Sequence, residues 1–196
     1  MVSDVDDMPV RTERPELTRA RALFIKLIDL YKAPGYRSSR IEVQKLAYFL
    51  QTAGEQLKLR FTKHQYGPYA NNLKHVLQKL DGHYIVGFGN LKKGSEIRLA
   101  DGAIEEASEF LDDEPQARKR LERVGAVIEG YETPYGMELL ATVHWAGNED
   151  DDSDFSADDA VEAVHNWNER KRRVFQPRHI MKSYEPLRAS DWLRTS

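Results

Sequence analysis

Apolar positions along this chain fall into short helical stripes, separated by polar turns and one stretch of strict alternation. Within Leu17 to Lys32, Ala20, Leu23, Phe24, Leu27, Ile28 and Tyr31 recur at three- and four-residue steps, and Pro34-Gly35 stops the run. Ser39 and Glu42 form a capping-box signature ahead of a second helix. Its stripe is Val43, Leu46, Ala47, Leu50 and Ala53, widened by Tyr48 and Phe49 and ended by Gly54. Such a wide stripe predicts a central helix covered on more than one side. Leu57, Leu59 and Phe61 alternate with Lys58, Arg60 and Thr62, the period of a half-buried strand. A third helix is predicted from Tyr69 to Leu80, closed by Asp81-Gly82.

Tyr84 to Phe88 and Ile97 to Leu99 read as a hairpin, which joins 57–62 in one small antiparallel sheet. Further helices are predicted at Ala103–Leu111, from Pro115 to Glu129, and from Pro134. Another is capped by Ser156 and ends at Arg170-Lys171-Arg172-Arg173, and the last is Arg178–Leu187, with Trp192 docking back as an anchor. The expected class is α+β, predominantly helical, with about seven or eight helices and one small antiparallel sheet. Residues 1–16 read as a tail or linker and 17–193 as a single domain.

The pivot of the pattern is the turn Lys63-His64-Gln65-Tyr66-Gly67-Pro68-Tyr69. Gly67 tolerates a positive φ, and Pro68 suits the first position of a helix. The turn gathers Tyr48, Tyr66, Tyr69 and His64, which makes it either a rigid core corner or a recognition surface.

Composition narrows the chemistry. The 196 residues are 40 % hydrophobic and 31 % charged, ordinary for one globular domain. With no cysteine there is no disulfide, thiol catalysis or thiolate metal site, which suits a cytoplasmic location. No apolar stretch has the length of a membrane span. A net charge of −3 argues against general phosphate binding, while leaving room for a local basic patch. Seven acids and no base lie in 149–159, the sharpest shift of composition in the chain. The cations at Arg118, Lys119, Arg120 and Arg123 read as a solvated helix face, and those at 170–173 as charges suited to a helix end. Gly89 to Gly94 resembles a phosphate loop only superficially, because it sits in a predicted hairpin. Among the histidines, His64, His75 and His83 cluster most suggestively, without metal-ligand spacing. No catalytic residue, metal or cofactor is expected.

Several of these segments also resemble a known family. Val43 to Gln51, Ala53-Gly54-Glu55, Tyr66 to Leu73, Leu80 to Ile85 and Gly130 to Trp145 are similar to the C-terminal domain of the DarG antitoxins. The KLxYF and YGP elements also resemble Panacea domains. The resemblance implies an antitoxin domain whose partner is DarT, a toxin that ADP-ribosylates single-stranded DNA. It implies no enzyme here, since the hydrolase of that family is an N-terminal macrodomain, expected as a partner within the same polypeptide. Neutralisation would occur by direct binding, with acids standing where phosphates lie and aromatics or amides where bases stack, a form of DNA mimicry. The candidate partner-binding residues are Lys63, His64, Tyr66, Tyr69, Asn71, Asn72, His75, His83, Asp150, Asp151 and Asp152. The other reading is a nucleic-acid-binding module that uses the basic helix faces at 118–123 and 170–173.

Overall fold

Helix α6 (Pro134–Glu149) runs through the interior, with eleven of its sixteen residues buried. It explains the nearly all-round apolar pattern of that segment. In this computed structural model, which describes residues 13–31, 38–89, 96–149 and 155–193, two helical groups meet along α6 and α2 (Arg40–Thr52). On one side α1 (Arg19–Tyr31) packs against α4 (Ala103–Leu111) and α5 (Pro115–Ile128). On the other, α6 packs against α7 (Ala157–Trp167) and α9 (Pro177–Ala189). Helix α2 touches both α5 and α6 and so joins the halves. Its start is fixed by the expected capping box, with Ser39 and Glu42 bonding each other's backbone amides. Val43, Leu46, Ala47, Phe49 and Leu50 are then fully buried, each larger side chain contributing roughly 1.5–3 kcal/mol through removal from water.

The C-terminus is locked through α6. His144 is buried, its Nδ1 is 2.6 Å from the Tyr48 hydroxyl and its Nε2 is 3.0 Å from the Trp192 carbonyl. A neutral ring satisfies both, with the tyrosine hydroxyl donating to Nδ1 and Nε2–H donating to the carbonyl. Burial pushes the His144 pKa down to about 4. Trp192 packs edge-on against Phe49 and His144, as its anchoring role requires.

The α+β, mostly helical class holds, with nine helices among the described residues. Four expectations need correction. The strands form two small sheets. One has the order β1 (Ser38–Ser39), β5 (Glu96–Leu99), β4 (Ile85–Val86), and the other pairs β2 (Phe61–His64) with β3 (Gly67–Ala70). The alternation at 57–60 is not a strand, because the Gln51 side chain takes both backbone groups of Leu59 in place of a neighbouring strand. Tyr69 does not lie in a helix, and Pro68 is not a helix start. Gly67 to Ala70 are extended, and α3 begins only at Leu73 (Leu73–Leu80). Finally, the helix expected to run to Arg173 breaks at Asn168. There α7 ends and α8 (Glu169–Val174) starts, with the Asn168 Oδ1 accepting from the Lys171 amide.

Among the described residues, no helix is long and apolar enough to cross a membrane. Arg14 bonds Glu106 and lies over the Tyr84 ring, while the Tyr84 hydroxyl donates to the Pro15 carbonyl.

A pinned hairpin as candidate interaction surface

Strands β2 and β3 form a hairpin whose tip is Gln65-Tyr66, in register from Phe61 opposite Ala70 to His64 opposite Gly67. An isolated two-stranded hairpin is marginal in water. Here it is held from below and from the side.

From below, α2 supplies the missing ladder. The Gln44 amide both donates to the Ala70 carbonyl and accepts from the Ala70 amide, each at 3.0 Å. Gln51 lies seven residues on, two turns along the same helix face, and does the same for Leu59. The Asn72 side chain bonds the Lys58 carbonyl and the Arg60 amide, each at 3.0 Å. Three side-chain amides thus satisfy backbone that a wider sheet would have paired. Lys45, fully buried, donates to the Pro68 carbonyl at 2.6 Å. Gly67 has φ +86°, and a Cβ there would lie 2.8 Å from the Thr142 hydroxyl. Both conformation and space therefore require glycine at this position.

From the side, the α7–α8 elbow grips the tip. The Trp167 indole donates to the His64 carbonyl at 2.9 Å, and the Asn168 amide donates to the Gln65 carbonyl at 3.2 Å. The Lys63 ammonium sits 4.6 Å from the Trp167 ring centre, and the Arg170 guanidinium 4.7 Å from that of Tyr66. Arg170 reaches inward as well, forming a fork to Glu138 at 2.6 and 3.2 Å. Glu138 also accepts from Lys171, whose ammonium is fully buried and bonds the Thr142 hydroxyl. Burial and the neighbouring Lys171 push the Lys45 pKa down to about 7. Burial likewise lowers that of Lys171, opposed by Glu138.

The expected partner-binding residues separate on this scaffold. Lys63, His64, Tyr66 and Tyr69 share the hairpin, and the His64 ring lies 4.9 Å from Tyr69 and 6.1 Å from Tyr66. Asn71 and His75 are exposed beside it. Asn72 is committed to the internal clamp just described. His83 lies in the turn beyond the C-terminal end of α3, away from His75 in the first turn of that helix. Asp150, Asp151 and Asp152 lie outside the described residues. The exposed acids flanking them are Glu149 at the end of α6 and Asp158, Asp159 and Glu162 on α7. Trp167 stands at the opposite end of α7, roughly 15 Å away along the helix. The described acids Asp158 and Asp159 and the tyrosine turn therefore lie at opposite ends of α7.

The expected run of solvated or helix-end cations at 170–173 is corrected too, since Lys171 is an interior charge and Arg170 bridges the core to Tyr66. Gln44, Lys45, Gln51, Glu138, Trp167 and Asn168 were missing from the sequence-level site. Their signal was polar residues, two amides at heptad spacing and a lysine, inside an otherwise buried stripe.

No family model matches the chain. It is 46 % identical over 180 residues to a protein of Thermus aquaticus named DNA ADP-ribosyl glycohydrolase, covering 92 % of this chain and 49 % of that protein. Proteins of the same name from Mycobacterium bovis and Mycobacterium tuberculosis are 34 % identical over 149 residues, 72 % of this chain and 42 % of theirs. The chain spans about half the length of these curated relatives or less, and it is a homologue of that portion of the DNA ADP-ribosyl glycohydrolases, the DarG proteins.

Proposed function

We propose that this chain is the part of a DarG-type antitoxin that neutralises a DNA ADP-ribosyltransferase toxin of the DarT type by direct protein–protein binding. The similarity to DarG relatives across 92 % of the chain carries the reading. The hydrolase name belongs to those relatives. We assign that chemistry to a macrodomain elsewhere in the polypeptide, and toxin binding to this region.

The mode we propose is occupation of the toxin's single-stranded DNA groove. A groove built for such a substrate is basic and lined with stacking groups. An inhibitor that fills it needs negative charge. In this chain that charge gathers where α6 ends and α7 begins, at Glu149, Asp158, Asp159 and Glu162, and the sequence between them adds Asp150, Asp151 and Asp152. These acids are our choice for the phosphate mimics. The hairpin residues Lys63, His64, Tyr66, Tyr69, Asn71 and His75 form a second surface of the opposite sign.

The test is a titration of this chain against a catalytically inactive toxin, with single-stranded DNA as competitor. Binding that DNA displaces is the expected result. Replacing Asp150, Asp151 and Asp152 with lysine should slow association at least tenfold at low salt, with the gap narrowing as salt is added. Equal on-rates at every ionic strength would remove the electrostatic role.

A further inference from the structure

Between Gln56 and Leu80 the sequence contains no acidic residue, although the chain as a whole is net negative. The same stretch holds Lys58, Arg60, Lys63, Lys74, Lys79, His64 and His75, and all seven are exposed. Among the described residues none of the five lysines and arginines forms an ion pair with a carboxylate. The fold concentrates this charge, because β2, β3 and α3 are consecutive; α8 also carries exposed Arg172 and Arg173, with Arg172 turned back to the His165 carbonyl and the Asn166 side chain. The counter-charges nearby are Glu169, exposed on α8, and Asp81, which accepts from the amides of Phe88 and Gly89. Glu138 is buried and already matched by Arg170 and Lys171.

Within this basic lobe stand rings at stacking distance, with His64 between Tyr66 and Tyr69. The hydrogen bonds from Trp167 and Asn168 fix the hairpin tip without using the His64 and Tyr69 rings, while Tyr66 carries the Arg170 guanidinium. Unneutralised cations flanking a fixed strip of aromatic edges are what a nucleic-acid strand requires: phosphates for the cations and bases for the rings. An acidic protein segment would satisfy the charge and leave the ring strip unused.

The geometry points to the β2–β3 hairpin, together with α3, as a binding face for single-stranded nucleic acid, with Lys58, Arg60, Lys63, Lys74 and Lys79 on phosphates and Tyr69 and His64 against bases. The face is separate from the acidic end of α7 to which toxin binding was assigned. A domain of this kind would touch a strand at one end and present acids at the other.

The probes are fluorescent 20-residue oligo-dT and oligo-U, a duplex of the same length, and poly-glutamate. Affinity for the single strands should fall about a hundredfold between 50 and 200 mM salt, the slope of roughly −3.5 that five phosphate contacts give. Lys63→Ala/Lys74→Ala/Lys79→Ala should weaken binding at least tenfold and flatten the salt slope by roughly 0.7 per lost phosphate contact. Tyr69→Leu should weaken binding several-fold with the slope unchanged, since it removes stacking and no charge. Arg118→Ala/Lys119→Ala on α5 should change neither. The DNA and RNA arms decide which sugar is preferred. Undiminished binding by the triple variant, equal loss from the α5 variant, equal affinity for the duplex, or preference for poly-glutamate would each overturn the assignment. All substituted lysines are exposed, so a matched unfolding curve checks that the fold is intact.

Discussion

Two buried carboxylates in this molecule each hold two cations, yet they do different work. Glu55 accepts from Arg19 at 3.0 Å and Arg120 at 2.9 Å, tying α1 and α5 to the end of α2. The side chains of Arg19 and Arg120 remain 43 % and 29 % exposed, so each guanidinium keeps contact with water. Glu138 accepts from Arg170 and from Lys171, whose side chain has no exposure at all, and a second fully buried ammonium, Lys45, stands nearby. The first is a latch between helices. The second places more positive than negative charge in the interior, directly beneath the hairpin. Water access to the cations, and not the number of bonds, decides how much each carboxylate matters.

Neutralising each carboxylate in turn separates the two roles. Glu138→Gln strands Lys171 without an anion, and the expected loss is about 3–5 kcal/mol, the usual effect of breaking a buried pair from one side. Denaturant unfolding would measure it.

Next in size is a pH effect from Lys45. Its folded pKa of about 7 lies below the ordinary lysine value of 10.5. Between those values the unfolded chain holds the proton and the folded chain does not, so stability rises with pH across that window. Below pH 7 both states are charged and the full penalty is present. The gain from pH 7 to 10 should be on the order of a few kcal/mol and should shrink in Lys45→Met, read as thermal midpoints for both proteins.

Glu55→Gln should cost only about 1–2 kcal/mol, since its arginines can turn to solvent. A loss as large as that of Glu138→Gln would refute the role given to water access. The smallest difference concerns salt. Raising ionic strength should weaken the contribution of Glu55 by a few tenths of a kcal/mol and leave that of Glu138 unchanged, in a comparison of the same two variants.

Much of the fold was legible because helices advertise themselves through a stripe. Val43, Leu46, Ala47 and Leu50 predict α2, and Ser39 with Glu42 predicts its start. The hairpin was not legible for a physical reason. Its strand β3 is Gly67-Pro68-Tyr69-Ala70, too short to show alternation, and Pro68 suggests a helix start by local preference alone. What holds it extended is Gln44 and Lys45, more than twenty residues earlier, and such a long-range bond leaves no periodic trace. The same reason hid the elbow at Asn168, whose side chain answers both to α8 and to Gln65. For the site, sequence proximity grouped His64, His75 and His83, while α7 sets the tyrosine turn apart from Asp158 and Asp159.

Because Gln44, Gln51 and Asn72 grip main-chain atoms, the alignment of the hairpin is encoded mostly outside its exposed side chains. Outward residues such as His64 and Tyr69 can be exchanged without shifting the frame that displays them. The hairpin is in that sense an interchangeable head on a fixed handle, whose contacts can change while its register does not.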